Sequence, residues 1–162
     1  MLERVGIDWA GWAVFGLIAT AILTGTMSGA QILRRSRMDL PFLLGSMFVA
    51  DFDRARLAGF LVHLGIGQAF ALVYAAAFAL LGMASWWLGA VFGLVHGLIA
   101  LVVLVPLLAG LHPRMASDRS GPELPMLEPP GPLALNYGRE TPLVTIAAHV
   151  LYGALLGLLL KP

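Results

Sequence analysis

Hydrophobic and polar positions divide the chain into four long apolar stretches separated by short polar punctuation. Residues 57–82 read LAGFLVHLGIGQAFALVYAAAFALLG, with no charged side chain. A helix needs about 20 such residues to cross a bilayer, so this stretch predicts a membrane span. Residues 9–33, 86–110 and 142–160 predict three more. The link 83–85 is too short for anything but an antiparallel turn between the second and third spans. Asp39 followed by Pro41 fits a helix start. Residues 40–50 after it are apolar but too short to span, which predicts an interfacial helix. Asp53 is placed to cap the second span, and Thr141-Pro142 to open the fourth. Pro106 predicts a kink in the third span that frees the carbonyl of Val102. Residues 111–140 hold six prolines (Pro113, Pro122, Pro125, Pro129, Pro130 and Pro132) and predict an extended Pro-rich loop. The fold class that follows is an all-α membrane protein, a four-transmembrane-helix bundle with a short interfacial helix, in a single membrane domain over 1–162.

Composition supports this reading. Charged residues make up 12% of the 162 residues, against about 25% in a soluble domain. The chain has no cysteine, which excludes disulfides, iron–sulfur clusters and thiolate metal sites. A formal net charge of +1 offers nothing to a nucleic acid. The first apolar run exceeds a signal core of about 7–15 residues, and two acids precede it, so it predicts a retained helix. Eight of the Lys and Arg residues fall in the stretches after spans one and three; only Arg4 and Lys161 lie elsewhere. The positive-inside rule then places both large loops in the cytoplasm and both termini outside. Trp9, Trp12, Trp86 and Trp87 all fall at the opposite membrane face, where an aromatic belt belongs.

Glycines recur at four-residue steps: Gly25 and Gly29 in span one, Gly89, Gly93 and Gly97 in span three, Gly153 and Gly157 in span four. Such rows let helices approach closely. Thr20, Thr24 and Ser28 share one helix face. They either bond their own backbone or line a polar bundle centre. GLIAT at Gly16 and GLVHG at Gly93 lie at the same offset as Arg37-Met38 and Arg114-Met115, which is compatible with a parallel two-span duplication.

The candidate chemistry is carried by histidines. His63 and His149 are each followed four residues later by a glycine, Gly67 and Gly153. Both should lie about 10 Å below the loop-side surface at about 1.5 Å per residue, with His96 about 10 Å further across. Three readings stay open. The histidines can be neutral packing residues bonded to Thr20, Thr24, Gln68 or Tyr152. His63 and His149 can be axial ligands of haem b, with the glycines leaving room for the porphyrin edge. Or His63, His96 and His149 can bind a metal such as zinc or copper, although the expected depths count against His96. An intramembrane carboxylate is missing, which weakens a proton or cation transporter. His112 with Asp118, Glu123 and Glu128 offers a loop cation site, against the simpler reading of solvated loop charges. No nucleophile, base and acid set or phosphate-cradling loop is present.

The motifs GLIAT, RMDLPFLLGSMF, FLVHLGIG, GLVHG, LHPRM and AAHVLYG resemble a group of small four-span bacterial integral membrane proteins of unassigned function. The resemblance implies a four-helix architecture and a bacterial inner membrane, and it implies no activity and no catalytic residue. The function expected is therefore a non-enzymatic subunit packed among other membrane protein subunits of a respiratory or photosynthetic assembly. A haem or metal electron carrier and a small transporter are the alternatives.

Overall fold

The computed structural model describes residues 6–116 and 126–161. The described chain is helical, and four of its helices are long and apolar enough to cross a membrane. They are α1 (Trp9–Ile32), α3 (Phe52–Leu81), the third span Trp86–Leu111, and α6 (Thr141–Leu159). The short α2 (Leu40–Gly45) lies between the first two. The third span is α4 (Trp86–Ile99), a π-helical segment Ala100–Leu104, and α5 (Val105–Leu111). A short 3-10 stretch, Pro132–Tyr137, precedes α6.

Local chemistry sets the element ends. Asp8 accepts from the amide of Gly11 at 2.8 Å and caps α1. Arg34 then turns left-handed at φ 57°, and the Arg35 amide reaches back to the Ala30 carbonyl at 2.9 Å. Asp39 caps α2 through the Phe42 amide at 3.0 Å. The α2 helix stops at Gly45, short of the expected 40–50, and turns carry the chain on to the next cap. That cap is Asp51 and not Asp53: its carboxylate takes the Arg54 amide at 3.0 Å, so α3 starts at Phe52, ahead of the expected 57. Gly82 closes α3 at φ 63°, a conformation that favours glycine, with Met83 bonded back to Phe78. Pro106 cannot donate to the helix ladder, and the turns just before it widen to π spacing. Thr141 is the first residue of α6 and not its cap, because its hydroxyl is held by Ser36 Oγ at 2.9 Å.

The helices pack in the order α3, α1, α6, α4, with α1 against both α3 and α6 and α4 closely on α6. Close approach follows from glycine. A Cβ on Gly89 would run into the Gly153 carbonyl, one on Gly157 into Ser85, and one on Gly93 into the His149 carbonyl. On the other side Gly67 is filled by Thr20 and Gly16 by Gln68. Trp12 and Gln68 tie α1 to α3 reciprocally, each side chain donating to the other's carbonyl at 2.9 and 2.8 Å. Gly25 and Gly29 form an open row: a Cβ at either meets nothing within 4 Å among the described residues. Sequence spacing alone could not distinguish this open row from the closed ones. Conversely, Gly45 and Gly59 stand in no four-residue glycine row, yet they form the α2–α3 contact, where a Cβ on Gly59 would sit 2.6 Å from the Gly45 amide nitrogen.

The second and third spans are antiparallel but stand apart at the backbone. Aromatic rings fill the space between them at the tryptophan end. Phe78 stacks on Phe92 with centroids 5.6 Å apart, and Tyr74 meets Phe92 edge-on at 5.8 Å. At the other end both loops are knitted together. Arg37 donates its amide to the Tyr137 carbonyl at 2.6 Å, and Arg35 pairs with Glu140 at 3.0 Å. The termini meet at the tryptophan end, where the Lys161 amide reaches Asp8 at 3.2 Å. The loops therefore share one end of the bundle and the termini the other. Of the residues considered for a loop cation site, Asp118 and Glu123 lie outside the described residues, and Glu128 pairs with Arg37 at 3.3 Å.

Candidate functional site: three histidines on one apolar cavity

Where α3 and the third span diverge, toward the loop end, they leave a cavity of about 310 Å³. This lies at the lower end of ligand-sized pockets, roughly 300–1,000 Å³. Its walls are mostly aliphatic, from Ile66, Leu104, Leu107 and Leu108 among others. Leu107 and Ile66 also lie on the apolar outer surface, 55% and 38% exposed. The polar part of the lining comes from His63 on α3, His96 on α4, and Thr145, His149 and Tyr152 on α6, with Thr20 on α1.

His96 is not a turn or two further across, as its expected depth implied. Its ring meets that of His149 edge to face, with centroids 4.7 Å apart. The reason is register. The α6 helix has only 19 residues, so His149 stands near its middle, and the Gly89–Gly153 contact slides His96 level with it. Phe70 also lies against His96, with ring centroids 4.0 Å apart and planes tilted by 31°.

Hydrogen bonding fixes which nitrogen of each ring carries the proton. His149 Nδ1 stands 2.8 Å from the Thr145 carbonyl, which can only accept, so Nδ1 is the protonated nitrogen. His63 Nδ1 stands 2.8 Å from Thr24 Oγ1, whose own hydrogen bonds the Thr20 carbonyl at 2.8 Å. Both contacts are satisfied together only when His63 donates from Nδ1. Each neutral ring then keeps a bare acceptor at Nε2. No hydrogen bond among the described residues ends on either Nε2. Neither atom is sealed in the interior, since the one sealed side-chain polar atom without a partner there is Gln68 Oε1. His96 is the opposite tautomer: Tyr74 has no other acceptor among the described residues and donates to His96 Nδ1 over a long 3.4 Å. Tyr152 donates to the Gly67 carbonyl at 2.6 Å and closes the floor of the cavity.

The threonines thus do both things their pattern allowed. Thr20 and Thr24 bond back to their own helix, and Thr24 also receives a neighbour. Gln68 goes to Trp12 and reaches no histidine. The glycines that were to clear space for a porphyrin do not. Gly67 is occupied by Thr20, and Gly153 by the backbone of α4. The residues therefore do not fit a haem edge beside His63 and His149. Among the described residues no three His, Asp or Glu side chains are gathered closely enough to hold a metal ion. The aromatic partners of His96 were the residues least visible in advance. The signal was present, as Phe70, Tyr74 and Phe78 recur at four-residue steps on one face of α3.

The fourth histidine is structural. His112 Nε2 donates to the Leu43 carbonyl at 3.0 Å, and its Nδ1 accepts the Arg114 amide at 3.1 Å. Burial is the main cause that holds its ring below the ordinary range for a histidine.

Compared with known proteins, the chain matches no family, no curated protein and no solved structure.

Proposed function

We propose that this chain is a multi-pass membrane protein that binds a lipid-soluble small molecule in the cavity between α3 and the third span. One observation carries the reading: three histidines from three helices line one cavity whose walls are otherwise apolar and continue onto the lipid-facing surface. A packing histidine needs only a partner, and His63 and His149 each have one through Nδ1. Two further ring nitrogens left open in an apolar cavity exceed what packing requires, since an unsatisfied polar group in hydrocarbon costs several kcal/mol by order of magnitude. Native mass spectrometry on protein released from its own membranes tests the reading. A bound apolar molecule is expected on the unmodified chain and not on Leu108→Trp, which fills the cavity. Equal spectra for the two, with or without an adduct, would refute it.

A second reading rests on a separate observation, the open row of Gly25 and Gly29. Small residues at this spacing pack transmembrane helices, and here nothing among the described residues uses them. This supports a subunit role within a larger membrane assembly. If so, Gly29→Leu releases a partner chain that otherwise survives mild extraction and purification. Recovery of the unmodified chain as a lone monomer would remove this reading.

For placement, we assign both loops to the cytoplasm and both termini to the outer face of a bacterial inner membrane. The Lys and Arg bias toward the loop end supports this assignment. Labelling single cysteines introduced at positions 6 and 136 of the cysteine-free chain, with an impermeant reagent on intact cells, would distinguish the two orientations.

A further inference from the structure

The geometry points to the occupant's chemistry: a phenolic lipid, with a flat aromatic head that donates a hydroxyl to Nε2 of His149 or His63 and an alkyl tail along the aliphatic wall. The inference rests on the cavity reading above and goes beyond it by naming what fits.

The first step is polarity. With Nδ1 of His149 committed to the Thr145 carbonyl and Nδ1 of His63 to Thr24, the only polar atom that each ring has left to offer the cavity it lines is the Nε2 lone pair. A ligand that offers only acceptors, such as an ester, an ether or a carbonyl, would find one donor, the Nε2–H of His96, and would leave both lone pairs unpaired. A hydroxyl head pairs with one of them directly. The second step is shape. Phe70 and Tyr152 line the cavity with the histidines, and Phe70 already lies against the His96 ring, with centroids 4.0 Å apart and planes tilted by 31°. A flat ring suits this aromatic surround better than a chain does, and a phenol is a stronger donor than an aliphatic alcohol. The third step is the tail. Leu104, Leu107 and Leu108 form a continuous wall from the cavity to the lipid-facing surface, so a tail can stay in hydrocarbon while the head is bound.

The test uses the full chain in lipid nanodiscs and three probes of similar apolarity: 4-decylphenol, its O-methyl ether and hexadecan-1-ol. Binding is read by competition against a tritiated sample of the phenol. The phenol is expected to bind about tenfold more tightly than its ether, the factor that one net hydrogen bond of about 1.4 kcal/mol supplies. Hexadecan-1-ol should fall between them. His149→Phe or His63→Phe, whichever removes the acceptor that the hydroxyl uses, should bring the phenol down to the affinity of the ether and leave the ether unchanged, and the pair of changes together should do so in either case. Equal binding of phenol and ether that is lost in Leu108→Trp overturns the phenolic assignment and leaves the cavity reading intact. Equal or tighter binding of hexadecan-1-ol also overturns it, in favour of an aliphatic head. Binding of all three that survives Leu108→Trp, or no binding at all, overturns both. The comparison of probes on the unmodified chain stands even if His149→Phe does not fold.

Discussion

His96 and His149 meet edge to face, with ring centroids 4.7 Å apart and planes at 76°. This contact brings α4 and α6 chemistry to one level and turns separate intramembrane histidines into a single lining. It depends on glycine. Gly93 and Gly97 let α4 lie directly on the backbone and Cβ of His149, so the register of the two rings is set by residues that carry no chemistry.

The first prediction concerns that register. Gly93→Ala places a methyl against the His149 carbonyl and 2.8 Å from Val150 Cα, both rigid backbone. The expected cost is about 1–3 kcal/mol, the range for overpacking a tight contact. Gly25→Ala meets nothing within 4 Å and gains helix propensity. It should be neutral or stabilising by up to about 1 kcal/mol. Reversible unfolding in mixed micelles with increasing dodecyl sulfate measures both.

Thr24 is the only group among the described residues that receives the His63 proton. Thr24→Val keeps the shape and removes the acceptor. It should cost about 1–2 kcal/mol in the same unfolding assay, and Thr24→Ser should recover most of the loss. Equal stability of all three would show that this bond contributes nothing.

The loop end should be sensitive to acid through His112. Its folded value lies below the ordinary one of about 6.5 because burial, and to a smaller extent the nearby Arg114, disfavour the cation. The unfolded chain then binds the extra proton more readily, so stability rises with pH. The contribution is fully present above about pH 6.5 and is lost as pH falls through the folded value. Hydrogen exchange at residues 40–46 should accelerate between pH 7.5 and 5, since the ring that clamps the Leu43 carbonyl must accept a proton on the nitrogen facing the Arg114 amide. In His112→Gln that dependence should vanish beyond the intrinsic pH dependence of exchange.

Leu133 and Ala134 adopt left-handed conformations in succession, at φ 53° and 59°. L-residues resist this by about 1–2 kcal/mol each. Ala134 is fully buried and its methyl belongs to the core, but Leu133 is 42% exposed. Leu133→Gly should therefore stabilise the chain by about 0.5–1 kcal/mol, once the greater freedom of glycine in the unfolded state is set against the strain relieved. A loss of stability in the unfolding assay would mean that the Leu133 side chain contributes more than its backbone costs.

The number and extent of the spans were legible because hydropathy is a one-dimensional property and the bilayer fixes its length. Helix rotation was not legible, because helices apolar nearly all round give no face to read. That is why Gly25 and Gly29 look like Gly89 and Gly93 in the sequence, although among the described residues only the second pair meets another helix. Depth failed for His96 for a related reason. Spans of 26 and 19 residues cannot share one scale measured from their ends, and the register came from glycine contacts across the bundle. Asp53 and Asp51 are both good caps, and the turn that leads out of α2 decides between them. The pairing of His63 with Thr24 was among the partners that residue types allowed, but the turning of His149 onto its own helix was not. That choice leaves the Nε2 lone pair of each ring without a partner among the described residues, on two side chains that line the cavity.

The proton positions on the four histidines test this most directly. Nitrogen-15 spectra of histidine-labelled chain in lipid at pH 8, assigned by single replacements, should show neutral rings only. His63 and His149 should be protonated at Nδ1, and His96 and His112 at Nε2. Added 4-decylphenol should shift the bare Nε2 signal of His149 or His63 and no other. If His149 and His63 instead carry their protons on Nε2, or are doubly protonated, these two rings present donors where the phenolic head requires acceptors, and the assignment is wrong.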